Sequence, residues 1–175
     1  PGTGILTEKL AEKAGRVIAV EKDHRLISVL SQQFSTNSNV EIVEDDILKF
    51  KPTDYGLQTT AYKIVGNIPY YLTSNLLRTV FEKWPQPQLI VLMVQREVAR
   101  RIVAKPPHMN PERGREGSQR ASASYGMNLL ALSVQFYAEP KIVSYVSKGS
   151  FRPIPKVDSA LLRIKLRRAQ QSKEI

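Results

Sequence analysis

Cysteine is absent from this chain of 175 residues. Its absence excludes disulfide bonds, thiolate metal ligands and cysteine nucleophiles. Histidine is nearly as scarce, because His24 and His108 are the only two and lie far apart. They lack the spacing of metal ligands, so we expect a protein without a metal site. No apolar run reaches the length of a membrane-spanning helix, and we predict no membrane partner.

Acidic residues are also in short supply. The chain has 16 Asp and Glu against 26 Lys and Arg, a formal net charge of +10. That excess favours a polyanionic partner, and nucleic acid ranks before a membrane because no basic amphipathic helix stands out. On charge alone, a basic but unspecific surface remains the alternative. The length and the hydrophobic content of 42% suffice for one domain with a core.

Apolar residues recur with helical spacing in some stretches and as short runs in others. The pattern predicts helices at 5–14, 24–34, 73–83 and 95–104, and strands at 16–20, 39–43, 63–65 and 89–94. Thr73 or Ser74 is expected to cap the third helix. This alternation is typical of an open, doubly wound α/β sheet. Residues 141–146 and 158–166 alternate apolar and polar, which predicts an exposed antiparallel edge pair.

Two stretches are harder to assign. By periodicity, residues 128–137 fit a helix and a strand equally well. Residues 105–124 are polar, net basic and rich in proline, glycine and serine, which predicts a long flexible loop. Such a loop could bind RNA phosphates through Arg113, Arg115 and Arg120, or it could be a solvated insertion without function.

The tetrapeptide Asn67-Ile68-Pro69-Tyr70 follows a predicted strand and carries the most specific chemistry. The Asn67 side-chain oxygen and the Ile68 carbonyl, freed because Pro69 interrupts regular pairing, can both accept hydrogen bonds from one amino group. The Tyr70 ring can stack on the base that carries this amino group. The four residues therefore predict a site for methylating a nucleobase amino group, provided that a methyl donor binds nearby.

Three further features point to a nucleotide-type cofactor. Gly2 and Gly4 precede a predicted helix, Glu21 follows the next strand, and Asp46 follows the strand after that. Glycines let the backbone approach a ligand, and an acidic residue after the second strand can bind both ribose hydroxyls. Each acid alone could equally be a helix cap or a solvated turn. Their order at the ends of successive strands favours a binding site.

The ordered set resembles the class I S-adenosylmethionine-dependent methyltransferases. More narrowly it is similar to the ribosomal RNA adenine N6,N6-dimethyltransferases of the KsgA/Dim1 type, which are related to the Erm resistance enzymes. The matching segments start at Pro1, Val20, Glu44, Gly66, Val94 and Phe151 and together span nearly the whole chain. The last of these, with the pattern Phe-x-Pro-x-Pro-x-Val-x-Ser, is specific to this family.

The resemblance implies a role for each matching residue. Gly2 and Gly4 would border the methionine part of S-adenosylmethionine, while Glu21 and the adjoining Lys22 would lie at its ribose. Asp46 would accept from the cofactor's adenine amino group, with Ile47 against that ring. Asn67 and the backbone around Pro69 would bind the target N6, between Tyr70 on one face of the adenine and Phe151 on the other. We expect Tyr71 to be structural, and residues 128–137 to be a helix.

The resemblance also implies the fold and the activity. We expect a Rossmann-like sheet, mostly parallel, with an antiparallel edge pair at its C-terminal end, forming a catalytic domain over residues 1–168 followed by a tail at 169–175. The expected protein is a cytoplasmic monomer that dimethylates small-subunit ribosomal RNA in ribosomal subunit precursors.

Other interpretations stay open. They are an Erm-type enzyme acting on the large subunit, and a non-catalytic RNA-binding assembly or transcription factor on the same fold. A DNA adenine methyltransferase is disfavoured because such enzymes usually carry an acidic residue where Asn67 stands. Because the chain opens within the glycine motif, we expect a fragment that lacks the family's N-terminal segment and its helical C-terminal domain.

Overall fold

Helices and strands alternate along the chain. A computed structural model describes residues 1–58, 61–104 and 129–167. Its helices are α1 (Ile5–Ala11), α2 (His24–Gln33), α3 (Thr73–Lys83), α4 (Arg96–Val103) and α5 (Leu129–Tyr137). Its strands are β1 (Val17–Glu21), β2 (Val40–Glu44), β3 (Lys63–Asn67), β4 (Leu89–Gln95), β5 (Ala138–Val146) and β6 (Ser159–Leu166). The predicted α/β order is confirmed, and α5 is the helix that the resemblance implied.

The described strands form two sheets. β1 and β2 pair in parallel, with Glu21 opposite Glu44 at their carboxyl ends. The second sheet has the order β3-β4-β6-β5. In it β3 and β4 are parallel, whereas β6 runs antiparallel to both β4 and β5. The antiparallel pair at the C-terminal end of the domain is as predicted.

The position of β6 in the sheet differs from the prediction of an exposed edge. β6 lies between β4 and β5, and its residues Ala160, Leu162 and Ile164 are fully buried. The alternating Arg163 and Lys165 are exposed on the other face. Alternation in a sequence shows that one face of a strand is covered, but it does not show whether both edges are paired. β5 is the edge strand of this pair.

Two predicted helix ends are wrong. Helix α1 ends at Ala11 and not at residue 14. The N-cap of α3 is Leu72, which supplies no side-chain hydrogen bond, so neither Thr73 nor Ser74 is the cap. A 3-10 turn at Tyr70–Leu72 leads directly into α3 and continues its backbone bonding. A capping side chain is therefore not needed there.

The main hydrophobic core lies between the second sheet and helices α3, α4 and α5. Its fully buried members from β4 and β6 are Ile90, Leu92, Val94, Ala160, Leu162 and Ile164. The helices contribute Leu77, Val80, Ala99, Ile102 and Val134. Burial of each large aliphatic side chain stabilises the fold by about 1.5–3 kcal/mol. This core holds the carboxyl ends of β3 and β4 beside the first residue of β6.

Candidate functional site

The polar residues singled out in the sequence lie at the carboxyl ends of strands. Glu21 is the last residue of β1, Asp46 follows the end of β2 by two positions, and Asn67 is the last residue of β3. Ligands of open α/β sheets bind at this end of the strands. We call Gly2, Gly4, Glu21, Lys22 and Asp46 the carboxylate side of the site. We call Asn67, Pro69, Tyr70 and Phe151 the amide side.

The glycine turn before α1 depends on both of its glycines. Gly2 has φ 60° and Gly4 has φ 82°, a region that residues with a side chain rarely adopt. A Cβ added at Gly4 would also lie 2.9–3.0 Å from atoms of Gln33, Leu30 and Phe34. A Cβ at Gly2 would meet no atom within 4 Å. Gly4 is therefore needed for packing against α2, whereas Gly2 borders open space into which a ligand could fit.

Glu21 is bound by the glycine turn and by its own strand end. Its Oε2 accepts from the Gly2 N–H at 3.0 Å. Its Oε1 accepts from the N–H groups of Lys22 at 2.8 Å and Asp23 at 2.9 Å. Partial burial acts to raise the pKa of Glu21, but hydrogen bonds, first of all that from the Asp23 N–H, outweigh it and lower the pKa to about 2. The three backbone N–H groups leave the carboxylate an acceptor position for a ribose hydroxyl.

Asp46 is joined to the end of β1 through Lys22. The Lys22 Nζ donates to Asp46 Oδ2 at 2.8 Å, and Oδ1 accepts from the Leu48 N–H at 3.0 Å. The bond from Lys22 is the main reason that the pKa of Asp46 lies below its usual value. Each oxygen keeps one acceptor position for an amino group. Ile47 is half-buried and packs against the main core.

The amide side presents a polar group without an internal partner. Asn67 and Pro69 are exposed. Among the described residues, no group forms a hydrogen bond with the Asn67 side chain. Next to it, Gly66 is confined, because a Cβ there would lie 3.2 Å from Leu92 and 3.4 Å from Ile68. The Asn67 backbone thus lies at the end of a well-packed strand, and its exposed amide oxygen can accept a hydrogen bond from a ligand.

Both predicted aromatic walls are half-buried. Tyr70 begins the 3-10 turn after β3, and Phe151 follows a second such turn at Lys148–Ser150. Within the described ranges, neither ring contacts another aromatic ring. A base that stacked on either ring would therefore displace no aromatic partner found among the described residues. Tyr71 is 79% exposed, so the expectation that it is a structural residue is wrong.

The sequence reasoning did not find the partner of Tyr70. The Tyr70 hydroxyl lies 2.6 Å from Oγ of Ser159, which is fully buried at the start of β6. The two residues are 89 positions apart, and nothing in the local pattern links them. Ser159 was visible in the sequence only as part of the Val-Asp-Ser-Ala run after the two prolines.

A basic cleft of about 440 Å³ is lined by the start of α4 and by segments that flank Phe151 in the chain. Its charged residues are Arg96, Arg100, Lys148 and Lys156, together with the acidic Glu97 and Asp158. The guanidinium groups of Arg96 and Arg100 lie 5.6 and 5.7 Å from the centre of the Tyr145 ring. These basic residues come from three separate elements, which is why their sequence positions did not predict the cleft.

Some expectations concern other parts of the chain. Arg113, Arg115 and Arg120, with the whole loop 105–124, lie outside the described residues, as does the tail 169–175. Among the residues that the structure covers, no group of histidine, aspartate and glutamate could hold a metal ion. Within the same ranges, no helix is long and apolar enough to cross a membrane.

Comparison with known proteins decides the family. The model of the family described as "Ribosomal RNA adenine dimethylase" matches residues 1–175. The chain belongs to the ribosomal RNA adenine dimethylase family. A curated family member from Dehalococcoides mccartyi, named "Ribosomal RNA small subunit methyltransferase A", is 41% identical over 169 residues. That match covers 97% of this chain and 52% of the relative. The chain thus spans about half the length of the curated relatives it matches.

Two solved structures share the fold of this dimethylase-family chain. A dimethyladenosine transferase from Plasmodium falciparum superposes with a TM-score of 0.74 at 28% identity, covering 95% of this chain and 53% of that one. The 23S rRNA methyltransferase ErmE superposes with a TM-score of 0.71 at 30% identity, covering 95% of this chain and 59% of that one. The class I methyltransferase fold predicted from the sequence is confirmed.

Proposed function

We propose that the protein containing this chain transfers methyl groups from S-adenosylmethionine to the N6 amino group of adenine in ribosomal RNA. The observation that carries the proposal is the exposed, unpartnered Asn67 amide at the end of β3, followed by Pro69 and Tyr70. Membership of the dimethylase family supports two transfers to the same nitrogen. The 41% identity to a protein named as a small-subunit methyltransferase favours small-subunit RNA in a ribosomal subunit precursor. We further propose that the protein acts as a monomer in the cytoplasm.

The carboxylate side fits the proposed cofactor. Gly2 leaves open space beside its backbone, as a ligand lying close to the glycine turn requires. Glu21 and Asp46 supply acceptors for ribose hydroxyls and for an adenine amino group, and Ile47 supplies an apolar surface for the adenine ring. When bound, S-adenosylmethionine supplies an electrophilic methyl group on a sulfonium sulfur.

The amide side prepares the target nitrogen. The lone pair of adenine N6 is delocalised into the purine ring, so N6 is a weak nucleophile. Hydrogen bonds from N6–H to the Asn67 oxygen and the Ile68 carbonyl favour a more tetrahedral nitrogen with a localised lone pair. Tyr70 and Phe151 hold the base between them, so that N6 forms its new bond to carbon as the carbon–sulfur bond breaks. The nitrogen then releases a proton to water.

Positioning accounts for most of the rate in this proposal. Oriented reactants can gain about 7–11 kcal/mol relative to the free reaction, and fixed acceptors beside a developing positive charge add to this. The site requires no covalent intermediate with the protein. For the second transfer, the site would have to bind an adenine whose N6 already carries one methyl group, which requires space for that group.

The test is methyl transfer by the intact protein with radiolabelled S-adenosylmethionine. Small-subunit and large-subunit particles that lack adenine methylation serve as parallel substrates, and the modified nucleosides are identified after digestion. We expect N6,N6-dimethyladenosine in the small-subunit RNA. Label mainly in large-subunit RNA would favour the Erm-type alternative, which the similarity to ErmE keeps open.

Calorimetric titration of S-adenosylmethionine into the intact protein distinguishes an enzyme from a non-catalytic RNA-binding factor. Cofactor binding together with transfer supports an enzyme. Binding of RNA without any binding of cofactor would contradict the proposal and favour a non-catalytic RNA-binding factor.

A further inference from the structure

Ser159 is a buried polar residue that has no role in the methyl-transfer steps described above. It is 0% exposed, and its Oγ lies 2.6 Å from the Tyr70 hydroxyl oxygen. Among the described residues, no buried side-chain nitrogen or oxygen lacks a hydrogen-bond partner. A buried hydroxyl is costly unless it is bonded, so Ser159 and Tyr70 stabilise each other's placement.

The bond fixes the outer end of the Tyr70 side chain. The backbone end is already fixed, because Tyr70 starts the 3-10 turn that connects β3 to α3. A tyrosine side chain rotates about only two bonds. With the hydroxyl bonded to Ser159, rotation about the first of these would break the hydrogen bond. The direction in which the side chain points, and with it the position of the ring, is therefore set from both ends.

Ser159 is a rigid partner for this purpose. As the first residue of β6 it lies opposite Gln95 of β4 and Val146 of β5. It is thus held between two strands whose other residues form the main core. A hydroxyl in this position moves with the sheet, and it transfers the rigidity of the sheet to the Tyr70 ring.

The preceding residue, Asp158, bonds to the backbone of the turn that leads into Phe151. The Asp158 carboxylate accepts from the Lys148 N–H at 3.1 Å and from Arg96 Nη1 at 3.2 Å. The Asp158 carbonyl accepts from the Arg96 N–H at 3.0 Å. Lys148 opens the turn that leads into Phe151. Asp158 and Ser159, at the start of β6, therefore bond to the two segments that carry Phe151 and Tyr70.

We propose that Ser159 is a positioning residue for methyl transfer, which holds the Tyr70 ring at the position needed to stack on the target adenine. The inference rests on the proposed function. Ser159 does not touch the substrate in this account and acts through Tyr70. Its loss should therefore slow the chemical step and leave the binding of RNA and cofactor unchanged.

The first experiment is a double-mutant cycle in the intact protein with Ser159→Ala, Tyr70→Phe and the double variant. Each single change should lower kcat about tenfold, which corresponds to about 1.4 kcal/mol. The KM for RNA and for S-adenosylmethionine should stay within about twofold of wild type, as expected when an interaction serves only the transition state. The double variant should be no slower than the slower single variant, because both changes break one bond.

The matched control is Ser144→Ala, which removes an exposed hydroxyl from the neighbouring strand β5. It should leave kcat unchanged. If Ser159→Ala behaves like this control, or if the double variant loses about a hundredfold, the inference is wrong. If Ser159→Ala does not fold, Tyr70→Phe breaks the same bond from its half-buried end and gives the same comparison against Ser144→Ala.

A second measurement does not depend on activity. The protein is labelled with 3-fluorotyrosine, and the Tyr70 fluorine resonance is assigned by its absence in Tyr70→Phe. Ser159→Ala should move this resonance towards that of free fluorotyrosine, and Ser144→Ala should not. An unmoved resonance would overturn the positioning role. A moved resonance in a protein that methylates no RNA would support the Ser159–Tyr70 contact and count against the proposed function.

Discussion

The hydrogen bonds on the carboxylate side of the site join residues at most 24 positions apart, whereas the amide side depends on a bond that spans 89 positions. The Glu21 carboxylate accepts from the N–H groups of the two residues that follow it, Lys22 and Asp23, and from Gly2 in the glycine turn before α1. Tyr70 instead reaches Ser159 across 89 positions. The carboxylate side is also charged and already hydrogen-bonded, while the Asn67 amide is exposed and without a partner among the described residues.

This difference indicates a division of labour. Pre-bonded carboxylates are suited to recognising a cofactor that always has the same shape. A free amide at the exposed end of a strand is suited to acting on a group that must enter, react and leave. Changes on the two sides should therefore affect different constants, binding on the carboxylate side and rate on the amide side.

The largest effect is expected for Asn67→Ala. The change removes an acceptor for the reacting amino group, and loss of one such preorganised hydrogen bond typically lowers kcat by about 100- to 1000-fold. The dissociation constant for S-adenosylmethionine should stay within about twofold. The measurement is single-turnover methyl transfer combined with calorimetry. Asn67→Asp, which keeps an acceptor, should retain more activity than Asn67→Ala. Unchanged transfer by Asn67→Ala would contradict the amino-group model.

A smaller effect on a different constant is expected for Glu21→Gln. Hydrogen bonds to a charged group contribute about 1.5–3 kcal/mol, so the cofactor dissociation constant should rise about 10- to 100-fold. The rate at saturating cofactor should change little. Glu44→Gln is the matched control, because Glu44 ends the adjacent strand β2 and, within the described ranges, its side chain bonds only to the exposed His24. Equal losses in the two variants would show that general charge, and not the site, governs cofactor binding.

Gly4→Ala tests the packing beneath the carboxylate side. The positive φ and the Cβ contacts of 2.9–3.0 Å with α2 should lower the free energy of unfolding by about 1–3 kcal/mol. At this size the melting temperature falls about 2–4 °C per kcal/mol. Gly15→Ala is the control, since its Cβ would meet no atom within 4 Å and its φ is ordinary. Similar melting temperatures for both variants would contradict the close packing at Gly4.

The titration of Glu21 should make stability depend on pH. Its pKa is about 2 in the folded protein against an ordinary value of 4.5. The stabilisation from its charged form is complete above the ordinary pKa and is lost as the pH falls from about 4.5 towards 2. Urea unfolding at pH 7 and pH 3 should show a larger loss for wild type than for Glu21→Gln. Equal losses would show that Glu21 is not held in its charged form.

The smallest effect is expected for Lys22→Gln. The Lys22–Asp46 ion pair is 2.8 Å long, but the lysine side chain is 75% exposed, and exposed pairs contribute little to stability. Arg78→Gln is the control, because Arg78 is also 75% exposed and forms an ion pair with Glu82. Both variants should unfold at the same urea concentration as wild type. A clear loss for Lys22→Gln alone would show that the pair holds the ends of β1 and β2 together.

Much of the fold could be predicted because its signals are local. Strands β1 to β4 and helices α2 to α4 lie within two residues of their predicted bounds, since apolar periodicity and turn residues act over a few positions. The capping residue of α3 was predicted wrongly. The preceding 3-10 turn takes the place of the side-chain cap expected from Thr73 or Ser74. The central position of β6 was missed because strand order depends on contacts between distant segments.

The candidate site divides in the same way. Glycines before a helix, an acid at each strand end and the Asn67 tetrapeptide are short patterns, and the amino-acid order alone was enough to select Gly2, Glu21, Asp46 and Asn67. The Ser159–Tyr70 bond, the ties from Asp158 and the basic cleft required the packed sheet, because each joins residues that no local pattern relates. Local geometry follows from a residue and its neighbours, whereas the pairing of distant strands follows from burying a shared core.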